Sequence, residues 1–172
     1  ETGNKGIKIG DNQYPADIFT KWTEAERNAI GVYTVEIDNT NRKDEEWYIN
    51  TNITYACSGG KVTGSYGTAI AREIADKTVD GVLEEGLKTI KKRIVDNECA
   101  QILAPSDWMA TKAFEEGGDV ESGWKTWRAS VRTKCNAMQT AINNASDVDA
   151  LAALYVRNSE GVRPLGDFPV KE

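Results

Sequence analysis

The sequence predicts an α+β fold: a small N-terminal antiparallel β-rich module followed by a C-terminal helical hairpin or bundle. Two observations predict it. Residues 1–70 contain short β-branched and aromatic runs separated by Gly, Asn and Asp, a pattern typical of strands joined by tight turns. Residues 83–156 instead repeat apolar positions at three- and four-residue steps, as one face of a helix does.

The N-terminal module is expected to begin with a hairpin and a short helix. Ile7 and Ile9 alternate ahead of the turn-forming residues 10–12, which favours two short paired strands. Thr23 followed by Glu26 is a capping-box pattern, in which each side chain binds the other residue's backbone N–H. With a glycine at position 31 as the C-terminal signal, the pattern predicts a helix over 24–30.

Three further strands are predicted in this module. Residues 32–37, 46–57 and 60–69 have the β-branched and aromatic content of strands, and the last two are joined by a Ser-Gly-Gly turn. A sheet this small buries little surface by itself, so it is expected to depend on other contacts. Residues 71–82 are charged and are predicted to be a linker, an irregular segment or a further strand pair.

The helical module is predicted to contain two long helices and two short ones. The first helix starts after about residue 82 and ends before Pro105, and its stripe comprises Leu83, Leu87, Ile90, Ile94 and Ile102, with Val95 and Cys99 alongside. A short helix capped by Ser106 follows and stops at a Gly-Gly pair. The second long helix has the clearest heptad-like seam in the sequence: Trp124, Trp127, Val131, Cys135, Met138 and Ile142. Ser146 and Asp149 are expected to cap a last short helix before an extended tail over 157–172.

Composition excludes several classes of function. The net charge of −6 lacks the basic excess that phosphate binding requires, so a nucleic-acid partner is not expected. The absence of histidine removes histidine bases and histidine-ligated metal sites. No apolar run approaches the ~20 residues of a membrane helix, so no membrane partner is expected. No cofactor motif occurs, and none is predicted.

The cysteines and the N-terminus carry weaker signals. Three widely spaced cysteines, Cys57, Cys99 and Cys135, favour buried thiols in a reducing compartment over a disulfide framework or a zinc ribbon. The chain starts with Glu-Thr-Gly rather than methionine, so these residues could be a cloning scar.

The tryptophans of residues 104–132 have two interpretations. Trp124 and Trp127 share the seam face, which favours core packing, and Trp108 could join them from the preceding short helix. In that case Trp127→Ala should cost about 3–5 kcal/mol of stability. A stacking platform for single-stranded nucleic acid would need exposed rings in a basic groove, and the surrounding charge is mixed.

The two arginines of the same stretch also have two interpretations. Arg128 and Arg132 lie four residues apart on one helical face. The favoured interpretation is a solvated face, or bridges to Glu115 and Glu116 across the Gly-Gly turn. The alternative is a clamp for a partner's carboxylates, since guanidinium forks suit that geometry.

Carboxylates are the remaining candidates for catalysis. The clusters are residues 44–46, which are Asp-Glu-Glu, and the pair Asp147 and Asp149. A glycan hydrolase needs two such groups held across a cleft, whereas aspartate is common in turns and helix caps. The second interpretation is favoured, and the expectation is that the protein is not an enzyme.

The segment "LAPSDWMATKAFEEGGDVESGWKTWRASVRTKC" resembles the C-terminal signature of bacteriophage tail assembly chaperones and tail-fibre assembly proteins. The shared pattern is "DW", an acidic glycine-containing turn, then "W-x-x-[YW]-R-x-x-[LV]-R". The positions that match it are Asp107, Trp108, Trp124, Trp127, Arg128, Val131 and Arg132. "YPADIFTKWTEAERNAIGV" is similar to the N-terminal segment of the same group.

The resemblance implies a non-enzymatic phage protein that binds tail-fibre or other tail components and assists their folding or assembly. It would act in the host cytoplasm during assembly and could remain on the virion tail. The alternative is a structural virion component attached to the fibre or baseplate. That role would use exposed aromatics of the β-rich half: Trp47, Tyr48, Tyr55 and Tyr66.

Overall fold

A computed structural model describes residues 5–171 and confirms the α+β class, with strands concentrated in the N-terminal half and helices after them. The chain divides into two compact units, Glu1–Ile70 and Ala71–Glu172. The first unit contains, in chain order, β1 (Ile7–Ile9), β2 (Asn12–Tyr14), a 3-10 turn (Ala16–Phe19), α1 (Glu24–Ala29), β3 (Val35–Asp38), β4 (Tyr48–Ile49), β5 (Ile53–Ser58) and β6 (Lys61–Tyr66).

The start of the first unit follows the sequence prediction. β1 and β2 form an antiparallel hairpin. At the beginning of α1, the backbone N–H of Glu26 donates to the Thr23 hydroxyl, and the Glu26 carboxylate accepts from the Thr23 backbone N–H at 2.8 Å. The predicted capping box is therefore confirmed. Gly31 follows the helix with a φ of +83°, a conformation that glycine adopts without steric cost.

The three-stranded sheet has the order β3-β6-β5 and corrects the expectation of a purely antiparallel arrangement. β5 and β6 form the predicted antiparallel hairpin, but β3 pairs with β6 in parallel. The reason is the long connection over residues 39–52, which allows β3 to lie beside β6 instead of beside β5. Strand content in the sequence does not encode that choice of neighbour.

The sheet separates apolar from polar side chains because successive residues of a strand point to opposite faces. Register places eight residues on one face: Val35, Ile37, Ile53, Tyr55, Cys57, Val62, Gly64 and Tyr66. Gly64 lies at the centre, and a Cβ there would be 2.9 Å from both Ile53 and Tyr55. Ile37 and Tyr55 remain 45% and 64% exposed, so this apolar sheet face is open to solvent.

Two of the four aromatics proposed for docking by this unit are buried. Trp47 is 6% exposed and Tyr48 is 8% exposed, and the Lys43 ammonium lies 4.1 Å from the centre of the Tyr48 ring. Of the four, Tyr55 is exposed and Tyr66 is half-buried. The aromatic content of residues 46–57 therefore supplies core as well as surface.

Of the alternatives left open for residues 71–82, the structure has the strand pair and not the linker. The second unit continues from β7 (Ile70–Ala71), at the boundary, to β8 (Lys77–Val79), β9 (Val82–Glu84), α2 (Leu87–Leu103), a 3-10 turn (Ala104–Ser106), α3 (Asp107–Glu115), α4 (Ser122–Asn144) and α5 (Val148–Ala153). β8 and β9 form a hairpin through Asp80 and Gly81, whose φ values are +50° and +79°, as in the Asp-Gly turns that match strand twist. The first long helix consequently starts at Leu87 and not near residue 83.

α2 and α4 pack against each other in antiparallel directions. The Lys88 ammonium near the start of α2 donates to the Asn143 carbonyl near the end of α4, while Arg128 near the start of α4 reaches Leu103 at the end of α2. The α4 seam is confirmed for its last four members, which are all buried: Val131, Cys135, Met138 and Ile142.

The predicted α2 stripe is displaced around the helix. The buried residues of α2 follow strict four-residue steps: Leu87, Lys91, Val95, Cys99 and Leu103. Ile94 is instead 41% exposed, and Leu83, in β9, is 63% exposed. Apolar residues occur around most of α2, so the position of α4 and not the sequence pattern selects the buried face. Lys91 takes a core position, with its ammonium 4.9 Å from the Tyr155 ring centre.

The end of the chain packs on the helices without forming a further helix or strand over residues 157–171. Asp147 caps α5 by accepting a hydrogen bond from the Ala150 N–H at 2.8 Å, which corrects the assignment to Ser146 and Asp149. In the tail, Leu165 is 3% exposed and its N–H donates to the Leu154 carbonyl at 3.0 Å. The predicted extended tail is thus a packed segment.

Asp76 joins the strand hairpin region to the start of α2 and makes stability depend on pH. Its carboxylate accepts the Gly86 N–H at 2.7 Å and the Thr89 hydroxyl at 2.9 Å. The Gly86 hydrogen bond, followed by that from Thr89, lowers the pKa of Asp76 below its ordinary 3.8. A carboxyl with a lower pKa in the folded state stabilises the fold above its unfolded pKa, and this contribution is lost as pH falls through the folded pKa.

We therefore expect Asp76→Asn to lower stability at neutral pH and to flatten the loss of stability on acidification. Urea unfolding followed by circular dichroism, at neutral pH and below the ordinary carboxyl pKa, measures this effect. Glu98→Gln, which changes an exposed α2 carboxylate, is the matched control. Equal pH dependence in the two variants would contradict the assignment.

Candidate functional site

The predicted site residues lie on α3 and the first half of α4, a region here called the α3–α4 corner (residues 103–132). The structure brings Asp107 and Arg128 into contact and places the three tryptophans in different environments. Arg132 is exposed on α4, one turn beyond Arg128. The six residues therefore do not form one cluster: Asp107 pairs with Arg128, Trp124 packs on Trp127, and Trp108 lies apart from both pairs.

Arg128 is the organising residue of this corner. It is 6% exposed, and its guanidinium reaches three acceptors on the segment that joins α2 to α3. Nη1 donates to the Leu103 carbonyl at 3.0 Å and to the Ser106 hydroxyl, and Nη2 donates to Asp107 Oδ1 at 2.6 Å. One α4 side chain thereby fixes the turn between α2 and α3, which uses the fork geometry of arginine.

This geometry corrects the interpretation of Arg128 as part of a solvated face. Arg128 does not bridge to Glu115 or Glu116. Glu116 is 3.8 Å from Lys112 on its own helix. The sequence offered no sign of burial because an arginine in an apolar seam also fits the pattern of a long side chain extending to solvent.

Trp124 and Trp127 pack against each other and the C-terminal tail. Their ring centres are 5.6 Å apart at an interplanar angle of 87°, the edge-to-face arrangement favoured by aromatic quadrupoles. The Trp127 Nε1–H donates to the Pro169 carbonyl at 3.0 Å, and the Lys171 ammonium lies 5.3 Å from the Trp124 ring centre. Both rings are half-buried, and their contacts with Pro169 and Lys171 fix the tail to α4.

Trp108 does not enter the seam. Its ring is 57% exposed on α3, contrary to the expectation that it packs with the other two tryptophans. A large exposed aromatic at this position is informative because such rings are common anchors of protein interfaces.

Trp108 and Trp124 border a surface groove of about 290 Å³, here called the corner groove. Its apolar lining is completed by Met109, Ala113 and Val120. Its charged lining consists of Lys112, Glu116, Asp119 and Glu121. Gly117, with a φ of +67°, ends α3 and lets the chain return toward α4, which brings Val120 opposite the α3 side chains.

Sequence reasoning identified the two tryptophans of the groove but missed Met109, Ala113 and Val120. The signal for these residues in the sequence is the Gly-Gly pair at 117–118, which marks the bend that forms the groove as well as the end of α3. Phe114, also missed, is 88% exposed beside the groove and does not line it.

The carboxylate clusters have structural roles. Asp147 accepts hydrogen bonds from the Ala150 N–H and the Ser146 hydroxyl, and Asp44 accepts from the Glu46 N–H in its turn. Within residues 5–171, no group of three or more Cys, Asp or Glu side chains could hold a metal ion. In the same part of the chain, no helix is long and apolar enough to cross a membrane.

The cysteines are free and differ in exposure. Cys99 and Cys135 are buried between α2 and α4, as expected, but Cys57 is exposed on the sheet, which corrects the expectation that all three are buried. Burial, together with Cys99 and Asp96 nearby, raises the pKa of Cys135 to about 12. This thiol is therefore protonated at neutral pH and poorly reactive.

No protein-family model, curated protein or solved structure matches the chain.

The half-buried Trp127 ring gives a stability prediction. We expect Trp127→Ala to lower the free energy of unfolding by about 2 kcal/mol. This is less than the ~3–5 kcal/mol for a fully buried ring, because part of the Trp127 ring is already in water. The variant should also release the tail, since the Pro169 hydrogen bond is lost. Thermal melting with limited proteolysis of the C-terminus measures both effects, and Trp108→Ala is the exposed control. A tail as resistant as in the wild type would contradict the packing role.

Proposed function

We propose that this chain is a non-enzymatic bacteriophage tail protein that binds tail-fibre or other tail components and assists their folding or assembly. The observation that carries the proposal is the contact between the two halves of the resembling signature. Arg128, from the second half, binds the Ser106–Asp107 segment that begins the first half. This contact leaves Trp108 displayed at the corner groove.

The arrangement supports a binding role because it separates scaffold from contact surface. Arg128 and Val131 are buried and hold the helices, whereas Trp108 is exposed and Trp124 is partly open at the groove. A rigid corner that presents aromatic side chains is suited to protein recognition, since little conformational entropy is lost when a partner docks. On this proposal the partner is a phage tail protein and the site of action is the host cytoplasm during assembly.

Quantitative mass spectrometry of purified particles beside infected-cell lysate tests the proposal, with this chain counted against the tail-fibre protein. An assembly protein should be present in lysate and absent or sub-stoichiometric in particles. Co-expression with the fibre should then raise the yield of folded fibre. The absence of any association with tail proteins in either sample would contradict the proposal.

A second role, as a structural virion component, is supported by the open apolar face of the three-stranded sheet. Val35, Ile37 and Tyr55 on that face are between 43% and 64% exposed, and exposed apolar patches commonly mark interaction surfaces. This role predicts a fixed ratio of the chain to the fibre in purified particles. The same mass-spectrometric count therefore distinguishes the two roles.

A further inference from the structure

We propose that the corner groove binds a partner segment that carries a bulky apolar anchor flanked by lysine or arginine. This inference rests on the proposed function, since it states the chemistry of the partner that the site would take. Three features of the corner groove support it: its apolar surface, the three carboxylates against one lysine in its lining, and the hydrogen bonds that hold both ends of α3.

The apolar part of the groove is built from side chains of two helices and their connection. Trp108, Met109 and Ala113 come from α3, Val120 comes from the connecting loop, and Trp124 comes from α4. At about 290 Å³, the space suits a large aliphatic or aromatic side chain rather than an extended cofactor. A methionine and two indole rings provide adaptable, polarisable contacts for such an anchor.

The charged part of the groove favours a basic partner. One lysine faces three carboxylates, Glu116, Asp119 and Glu121. Lys112 lies 3.8 Å from Glu116, and Lys125, outside the groove, lies 3.1 Å from Asp119. Glu121 makes no ion pair within the described residues and stands at the N-cap position of α4, where the partial positive charge of the helix end favours a carboxylate. Cations beside the anchor would be attracted by this rim, whereas an acidic segment or a nucleic acid would be repelled.

The corner is also preorganised. Arg128 fixes the segment that leads into α3 through Leu103, Ser106 and Asp107. The far end of α3 is closed by the Gly118 N–H, which donates to the Ala113 carbonyl at 2.8 Å. Since both ends of α3 are held, a segment entering the groove does not have to order it first, which lowers the entropic cost of binding.

Three fluorescein-labelled peptides test the inference directly. They share a Leu-Phe-Leu anchor and differ in their flanks: Lys-Lys-Leu-Phe-Leu-Lys-Lys, the same peptide with glutamines, and the same peptide with glutamates. Fluorescence anisotropy against the full chain should show the tightest binding for the lysine peptide, about tenfold weaker binding for the glutamine peptide, and no binding for the glutamate peptide.

Variants separate the groove from the general acidity of the chain. Trp108→Ala should weaken the lysine peptide at least about tenfold with an unchanged circular dichroism spectrum, because its ring is largely exposed. Glu121→Lys should abolish the preference for lysine flanks. Phe114→Ala and Glu98→Lys are the matched controls, since neither residue lines the groove and the second makes the same change in net charge. Both controls should bind as the wild type does.

Two results would overturn the inference: equal affinity for the lysine and glutamate peptides, or equal weakening by Glu121→Lys and Glu98→Lys. If none of the three peptides binds while the chain still associates with tail proteins, the partner uses another surface and the proposed function stands. If the peptides bind as expected but no tail protein associates with the chain, the groove assignment stands and the proposed function fails.

Discussion

Replacing Arg128 by alanine is expected to lower the free energy of unfolding by about 3 kcal/mol, among the largest effects of any single substitution in the chain. The reason is the burial of its acceptors. The variant removes the donor from the Leu103 carbonyl and the Ser106 hydroxyl, and Ser106 is only 1% exposed. The Ser106 hydroxyl also donates to the Leu103 carbonyl at 2.8 Å, so each of these two atoms loses one hydrogen bond and keeps another. At a buried site, solvent does not replace the bond that is lost.

The ion pair with Asp107 contributes only a small part of this effect. The Asp107 side chain is 62% exposed, whereas that of Arg128 is 7% exposed, so water on the Asp107 side screens the attraction. An asparagine at position 107 also keeps an Oδ1 that accepts from Arg128 Nη2. Asp107→Asn is therefore expected to cost less than about 1 kcal/mol. Arg128→Lys should fall between alanine and the wild type, because one ammonium cannot reproduce the fork that serves three acceptors.

Urea unfolding of these variants, followed by far-ultraviolet circular dichroism, measures the differences. Arg132→Ala is the matched control, since Arg132 is exposed one helical turn away and should change stability by less than about 0.5 kcal/mol. A loss of stability shared equally by the Arg128 and Arg132 variants would show that the hydrogen bonds of Arg128 do not hold the corner. A loss of stability found in the Arg128 variants and not in Arg132→Ala would show that Arg128 stabilises the fold in the absence of any partner.

Local signals in the sequence predicted local structure well. The Thr23–Glu26 capping box, the β1–β2 hairpin and the seam over Val131 to Ile142 all appear in the structure. Each depends on residues close together in the chain, whose hydrogen bonds or periodicity leave one favourable arrangement.

Features that depend on distant partners were not predictable in the same way. The parallel pairing of β3 with β6, the buried face of α2 and the acceptors of Arg128 all depend on which element packs alongside. The candidate site shows the same limit. The signature identified Trp108 and Trp124, but the groove between them also needs Val120, which the bend after α3 brings into place.

The core between α2 and α4 gives the second large effect. Ile142 is 0% exposed at the C-terminal part of the α4 seam. Replacing it by alanine is expected to lower the free energy of unfolding by about 3 kcal/mol. Both the lost transfer free energy and the cavity left among its neighbours contribute to that cost. Ile142→Val removes a single methylene group and should cost about 1 kcal/mol.

Ile94 is the matched control for this prediction, because the sequence pattern assigned both isoleucines to apolar stripes and the structure separates them. Ile94 is 41% exposed, so Ile94→Ala removes less buried surface than Ile142→Ala does and gains from the higher helix propensity of alanine. Its expected cost is below about 1 kcal/mol. Urea unfolding of the two alanine variants therefore tests the register of α2 on α4. If the costs were equal, the buried face of α2 would include Ile94, as the three- and four-residue pattern predicted, and the four-residue stripe through Val95 would be wrong.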